Sequence, residues 1–379
     1  MSEAKTSSKP NILVVPLDWG LGHATRCIPI IHAFLSQGCT VLWAGEGKPK
    51  KLLQKEFPDL VFLSLEGYRV RYARKKWMLP FIMAAQIPQI FFSIKTENQW
   101  LQTIVEKYSI DAVISDNRFG LYHPSIPSVF ITHQLSIKTG LGRLADQWLQ
   151  KLNYRFINRF SECWVPDAEG KNNLAGSLSH PERFPVVPVK FTGPLSRFAN
   201  SADENAKHIL LLLSGPEPQR TILENLLLEQ LKDHSGPVVL VRGLPGSNEK
   251  IKAPAHVVVY NHLTAGALQQ MISEASFIIS RCGYSTVMDL AALQKKSILI
   301  PTPGQTEQEY LATHLMKMNF ALCIEQKKFD LRKALALASA FDYQLRNFNT
   351  VTKLNDVVRN FTAQLKTNNI YKNPASPQK

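Results

Sequence analysis

Short apolar runs followed by helical stretches recur along the whole of this 379-residue chain, and that alternation restricts its fold more than any other feature. Asn11 to Pro16 reads as a strand, Ala24 to Ser36 as a helix and Thr40 to Ala44 as a strand. Leu52 to Phe57 reads as a short helix before a strand at Val61 to Leu65. A helix near Asn98 to Tyr108, strands at Ala112 to Ser115 and Ser128 to Thr132, a helix over Leu144 to Phe160 and a strand at Glu162 to Val165 continue the pattern. Strands joined through helices return to the same edge and pair in parallel, which predicts sheets covered by helices on both faces. The proline-rich segment Pro181 to Pro194 is expected to link two domains, because the pattern then restarts. His208 to Leu213, Val238 to Val241, Val257 to Tyr260, Phe277 to Ile279 and Ser297 to Ile300 supply the second set of strands. The expected fold class is α/β, with two Rossmann-like doubly wound domains facing across a cleft that holds the ligand. The expected division is a tail over 1–9, domains over 10–190 and 191–345, a helix over 346–366 packing back toward the first domain, and a tail over 367–379.

Composition narrows the setting. Apolar residues make up 45% of the chain, enough for two packed cores. The five cysteines form no C-x-x-C pair, so neither a zinc site nor a disulfide framework is expected. Met1 to Pro10 is polar and resembles no signal peptide, so a reducing, cytoplasmic location is expected. The formal charge of +14 favours acidic partners. Arg69, Arg71, Arg74, Lys75 and Lys76 form the densest basic cluster and run into the apolar residues 77–94. That stretch is too short and too interrupted by proline and glutamine to span a bilayer. It reads either as a buried helix with a solvated basic entry or as a docking element for an anionic membrane surface. Nucleic acid is not expected as a partner, because the basic residues are dispersed and no aromatic stacking module accompanies them.

Two motifs carry chemistry. Directly after the first strand comes Asp18-Trp19-Gly20-Leu21-Gly22-His23-Ala24-Thr25-Arg26. Gly20 and Gly22 permit a tight turn and close approach of a ligand, and His23 stands at a helix start, where the dipole favours the neutral imidazole. A neutral imidazole can act as a base. The second motif runs from Ser280 to Ala312. Gly283, Tyr284, Ser285 and Thr286 read as a turn feeding a helix over Thr286 to Leu293, whose free N–H groups suit a diphosphate. Asp289 is expected in the first turn of that helix, on a ribose diol. A second strand then delivers Glu307, Gln308 and Glu309 beside the same crevice.

Together these motifs resemble the GT-B glycosyltransferases, most closely the family 28 group that includes the bacterial lipid-linked N-acetylglucosaminyltransferase of peptidoglycan synthesis. Gly20 to His23 is similar to the family's acceptor-side turn. Ser280, Arg281, Gly283, Asp289, Pro301, Gln308 and Ala312 are similar to its donor signature. Asp289 stands where the peptidoglycan enzyme has Glu, and Leu311 where the family usually has Asn. The resemblance implies a nucleotide-sugar donor, a UDP-sugar, on the second domain and an unidentified acceptor on the first, with a lipid-linked one among the candidates. It implies His23 as catalytic base, with Asp116 and His133 beside the acceptor. It implies a donor site built from Ser214, Gly215, Arg220, Leu263, Arg281, Gly283, Ser285, Thr286, Asp289, Glu307 and Gln308. No cofactor and no metal are implied, and an enzyme of this kind would sit peripherally on the inner face of the membrane. The same Gly-x-Gly-His turn is also similar to nucleotide-sugar hydrolases, in which the His activates water, and a non-catalytic sugar-nucleotide-binding protein is the third reading.

Overall fold

The computed structural model describes residues 9–18, 20–68, 79–140, 142–198, 206–348 and 350–372. The basic cluster Arg69 to Lys76 and the first residues of the apolar stretch lie outside them, as does Trp19.

The first sheet has seven parallel strands: β1 (Asn11–Pro16), β2 (Thr40–Gly45), β3 (Val61–Ser64), β4 (Ala112–Asp116), β5 (Ser128–Ile131), β6 (Glu162–Val165) and β7 (Val189–Phe191). Their spatial order is β3-β2-β1-β4-β5-β6-β7. The connecting helices are α1 (Leu21–Ser36), α2 (Gly47–Glu56), α3 (Leu79–Lys107) and α4 (Arg143–Ile157). The second sheet has six: β8 (His208–Leu212), β9 (Val238–Val241), β10 (Val257–Tyr260), β11 (Ala275–Arg281), β12 (Ser297–Ile300) and β13 (Leu322–Cys323), in the order β10-β9-β8-β11-β12-β13. Its helices are α5 (Gln219–Gln230), α6 (Ala265–Ser273), α7 (Tyr284–Leu293), α8 (Thr306–Lys317) and α9 (Leu331–Ala340). Each sheet reverses direction beside its first strand, between β1 and β4 and between β8 and β11. Crevices open at the carboxyl ends of the strands at such reversals, and ligands bind there. Both sequence motifs emerge at these two points.

Packing follows from the sequence. β1 and β4 are buried on both faces and carry unbroken apolar runs, whereas α1 turns Cys27, Ile28, Ile30, Ile31 and Phe34 inward at helical spacing. One apolar cluster joins α1 and β6 of the first domain to α7 of the second, and α10 (Thr350–Lys372) completes it. Phe361 of α10 meets Phe34 at 6.2 Å and Trp164 at 5.5 Å, both edge-on. The final helix therefore fastens the two domains together along α1.

The structure departs from the sequence reading in several places. The proline-rich segment is more than a link, because Val189–Phe191 pairs with β6 as the last strand of the first sheet. The helix near Asn98 is the end of the 29-residue α3, which absorbs Pro88 and leaves Phe91 and Phe92 facing solvent. The stretch is thus not simply a buried helix. α7 begins at Tyr284 with Gly283 as its N-cap, two residues earlier than expected, so Asp289 falls in the second turn and not the first. The cluster Glu307 to Glu309 belongs to the first turn of α8, whose carboxylates suit the positive end of its dipole.

Candidate active site

On the first domain, three side chains form one buried charged cluster. Gly20, at φ 129°, turns the chain out of β1 and caps α1, which places His23 in the first helical turn and Arg26 one turn later on the same face. Asp116 ends β4, the neighbour of β1. Arg26 Nε reaches Asp116 Oδ1 at 2.8 Å and Oδ2 at 2.9 Å, and its Nη2 makes a further short contact with Oδ1. His23 Nδ1 lies 3.0 Å from Asp116 Oδ2 and 2.8 Å from Arg26 Nη2. Burial alone would raise the Asp116 carboxyl, but Arg26 and His23 overcome it and hold it below the usual carboxylate range. His23 is shifted in the same direction with the opposite consequence for charge: burial first, then Arg26, hold its pKa below the ordinary histidine value, which favours the neutral ring. Its side chain keeps 19% of its surface exposed, and among the described residues no partner is recorded for Nε2.

On the second domain the facing feature is the N-terminus of α7. Gly283 caps it with open space where a Cβ would stand, and Ser285 and Thr286 follow. The two helix starts nearly touch, since a Cβ on Gly22 would stand 2.6 Å from Ser285 Oγ. Tyr284 is buried between the domains, donates to the Pro166 carbonyl at 2.8 Å and stacks on His133 with ring centres 4.1 Å apart. His133 Nε2 is 2.8 Å from Glu307 Oε1, and its Nδ1 is buried without a partner. Burial would raise Glu307, but His133, His23 and Arg26 hold it below the usual range. His23, Arg26 and Asp116 are therefore brought together with His133 and Glu307 around one crevice.

The remaining expected donor residues separate into groups. Ser214 and Gly215 are exposed in the turn after β8, with Gly215 at φ 104°. Arg220, expected to face a diphosphate, is instead spent on Glu217 at 2.6 Å and Glu224 at 2.9 Å. Arg281 lies beneath the site, donating to the carbonyls of Ile300 and Pro301 at 3.4 Å and of Gln219 at 2.7 Å. Its guanidinium has only these neutral partners, and burial brings its pKa down to about 10. Gln308 is likewise turned inward, accepting from Thr302 N at 2.9 Å and donating to Gln305 at 2.5 Å. Leu311 is fully buried on the core face of α8, so the residue found where the resemblance leads one to expect Asn does packing work. Leu263 packs partly buried against the main apolar cluster.

Asp289 lies in the second turn of α7, beyond its opening. It accepts from Ser196 Oγ at 2.6 Å, and burial raises its pKa to about 6 against the pull of Ser196 and Arg197. Ser196 and Arg197 line a cavity of about 310 Å³ between α1, the domain connection and α10. Arg197 is the residue that the sequence reading missed. Its Nε is buried without a partner, and its charge adds to the burial that lowers the His262 imidazole. Nothing local marks it, because the charges it feels, Asp289 and Glu56, are distant in sequence. Arg26 was signalled by its i,i+3 spacing from His23. Among the described residues no group of three His, Cys, Asp or Glu is placed to hold a metal ion, and no helix is long and apolar enough to cross a membrane.

Residues 246–356 match the glycosyltransferase family 28 C-terminal domain, a span that includes Gly283, Asp289 and Glu307. The chain is 25% identical over 354 residues to the UDP-N-acetylglucosamine--N-acetylmuramyl-(pentapeptide) pyrophosphoryl-undecaprenol N-acetylglucosamine transferase of Histophilus somni, covering 89% of this chain and 90% of that one. The Salmonella newport enzyme of the same name is 24% identical over 344 residues, covering 85% and 87%. Among solved structures, Arabidopsis thaliana UGT89C1 superposes with a TM-score of 0.64 at 13% identity, over 95% of this chain and 100% of that one. MurG of Acinetobacter baumannii superposes with a TM-score of 0.52 at 14% identity, over 95% and 100%. Two parallel sheets with facing crevices give the chain a GT-B fold, its second half matches the glycosyltransferase family 28 C-terminal domain, and over nearly its full length it is similar to glycosyltransferases of that type.

Proposed function

We propose that the chain transfers a sugar from a UDP-sugar, held by the second domain, to a hydroxyl of an acceptor held by the first, with His23 as the base. The observation that carries this reading is the His23–Asp116 contact, which leaves the second imidazole nitrogen without a partner among the described residues, on a helix start that meets the start of α7. With the proton on Nδ1 donated to Asp116, so that Arg26 Nη2 serves the carboxylate and not the ring, Nε2 presents a lone pair. It takes the proton of the acceptor hydroxyl as that oxygen bonds to the anomeric carbon and the bond to the diphosphate breaks. The departing diphosphate gathers negative charge at the N–H groups opening α7, where Ser285 and Thr286 stand. The nucleoside end lies toward Leu263, Asp289 and Arg197. Asp289 accepts from the ribose hydroxyls, and Arg197 supplies the cation first expected of Arg220. Glu307, paired with His133, meets the sugar hydroxyls at the cleft. UDP as the nucleotide is supported by the names of the full-length relatives.

The acceptor is proposed to be lipid-linked and reached from the cytoplasmic membrane face. α3 and α4 expose Phe91 (47%), Phe92 (71%), Leu144 (84%) and Trp148 (66%), and Phe91 packs on Phe156 to join the two helices. Arg143, Lys151 and Arg155 lie on the same α4, so apolar and cationic groups share one helix, as an anionic bilayer surface requires.

The test is release of UDP from a panel of UDP-sugars, with and without lipid-linked saccharides in anionic vesicles. Release that requires the acceptor supports the proposal. Release at the same rate in water alone identifies a hydrolase, and tight UDP binding without release identifies a binding protein.

A further inference from the structure

The loops that follow β8, β9 and β10 are knitted together through one buried carboxylate, Glu224 of α5. Two guanidinium groups converge on it. Arg220 Nη1 donates to Oε2 at 2.9 Å, while Arg242 Nε donates to Oε2 at 2.7 Å and Arg242 Nη2 to Oε1 at 3.0 Å. Each arginine also holds a loop. Arg220 Nε donates to Glu217 Oε1 at 2.6 Å in the turn after β8, and Arg242 Nη1 donates to Asn261 Oδ1 at 2.8 Å in the turn after β10. The turn after β9 is locked between them: Leu244 N donates to Asn261 O at 2.7 Å, and Gly243, at φ 68°, lies so close that a Cβ there would stand 2.4 Å from Leu213 O.

We propose that Glu224 is a positioning residue for the nucleotide donor, setting the span between the turn at Ser214 and Gly215 and the turn that carries Leu263. The inference rests on the donor site proposed above: β8 and β11 are adjacent parallel strands, so the turn after β8 neighbours the start of α7 proposed for the diphosphate, and the turn after β10 carries Leu263, proposed for the nucleoside end. Its physical basis is charge. Glu217 and Glu249, the other acidic partners of the two arginines, have side chains more than half exposed and hold them weakly. Glu224 is the buried counter-ion, and without its charge two guanidinium groups face each other inside the domain. They then separate, and the two turns no longer keep the distance that one nucleotide must bridge.

The experiment measures UDP affinity, the donor and acceptor KM values, kcat and the urea midpoint for the full chain, Glu224→Gln, Asp289→Ala and Glu97→Gln. Glu97 is a buried carboxylate paired with Arg118 in the first domain, so it controls for loss of stability alone. The expected result for Glu224→Gln is a donor KM and a UDP dissociation constant raised about tenfold, as befits a lost buried ionic contact. Its kcat at saturating donor and its acceptor KM stay within about twofold of wild type, and Glu97→Gln moves only the urea midpoint. Should Glu224→Gln fail to fold, Arg242→Lys, which keeps the charge but loses the forked contact, takes its place with the same expected split. A lower urea midpoint with unchanged UDP affinity overturns the inference while leaving the donor site standing, provided Asp289→Ala weakens UDP. If wild type binds no UDP, or neither Asp289→Ala nor Glu224→Gln changes its affinity, the donor site itself is wrong and the inference falls with it.

Discussion

Two helix starts meet across the cleft, and they are built from different materials. α1 opens amid charge, with His23, Arg26 and Asp116 in one buried cluster. α7 opens with Gly283, Tyr284, Ser285 and Thr286, and its first turn carries no acidic side chain. The difference fits the role proposed for each side. Moving a proton requires a side chain whose pKa is set by its neighbours, whereas holding an anion requires only N–H groups aimed at one point and room for the ligand. Substitutions should therefore hurt the first side through chemistry and the second through backbone and space.

The largest effect is expected at Asp116. Asp116→Ala strips Arg26 of its buried counter-ion, so chemical denaturation should show a loss of about 3–5 kcal/mol. In Asp116→Asn, where the fold is kept, kcat should fall by about 10²-fold or more because the imidazole loses the acceptor-only carboxylate that fixes its tautomer and stabilises its charged form. Next comes Gly22→Val, which drives a side chain into Ser285 and should raise the donor KM and lower kcat together, by about tenfold or more in kcat/KM. A substitution there that leaves steady-state kinetics unchanged would mean that the two helix starts do not share a site.

Acid sharpens the comparison further. Burial and Arg26 lower the His23 pKa, so the neutral, proton-accepting form persists below the ordinary histidine range. The acid limb of kcat should accordingly fall below pH 6.5, the usual histidine value. Asp289 is shifted the other way, to about 6, so its carboxylate is lost as the pH falls through that value. UDP affinity measured by calorimetry should then weaken below about pH 6 in wild type and stay flat in Asp289→Asn. The smallest effect is expected at Ser285→Ala, within about threefold in donor KM, because the N–H groups opening α7 survive the change.

Much of this was legible in the sequence, for identifiable reasons. The strands β1, β4, β8 and β11 are buried apolar runs bounded by turns, and such runs announce themselves. His23 and Gly283 could be placed because each follows such a strand directly. The strand Val189–Phe191 stayed hidden because Pro188 immediately precedes it, and proline usually argues against a paired strand. Arg220 was misread although its surroundings held the answer: Glu217 at i−3 and Glu224 at i+4 lie at the spacings where a helix pairs charges. Asp289 was placed one turn too early because Tyr284 was counted as loop, whereas its buried ring makes it the first helical residue. Tyr284 meets Pro166 and His133 only across the domains, and Arg197 comes under the Asp289 charge only through the fold, which no local pattern encodes.

The central claim is that one imidazole on the charged side performs the proton transfer while the other side binds the nucleotide. The most direct measurement is single-turnover sugar transfer by His23→Ala alongside its UDP dissociation constant. Transfer slowed by about 10²–10⁴-fold with UDP affinity within about twofold of wild type is the expected result. Transfer at the wild-type rate would contradict it.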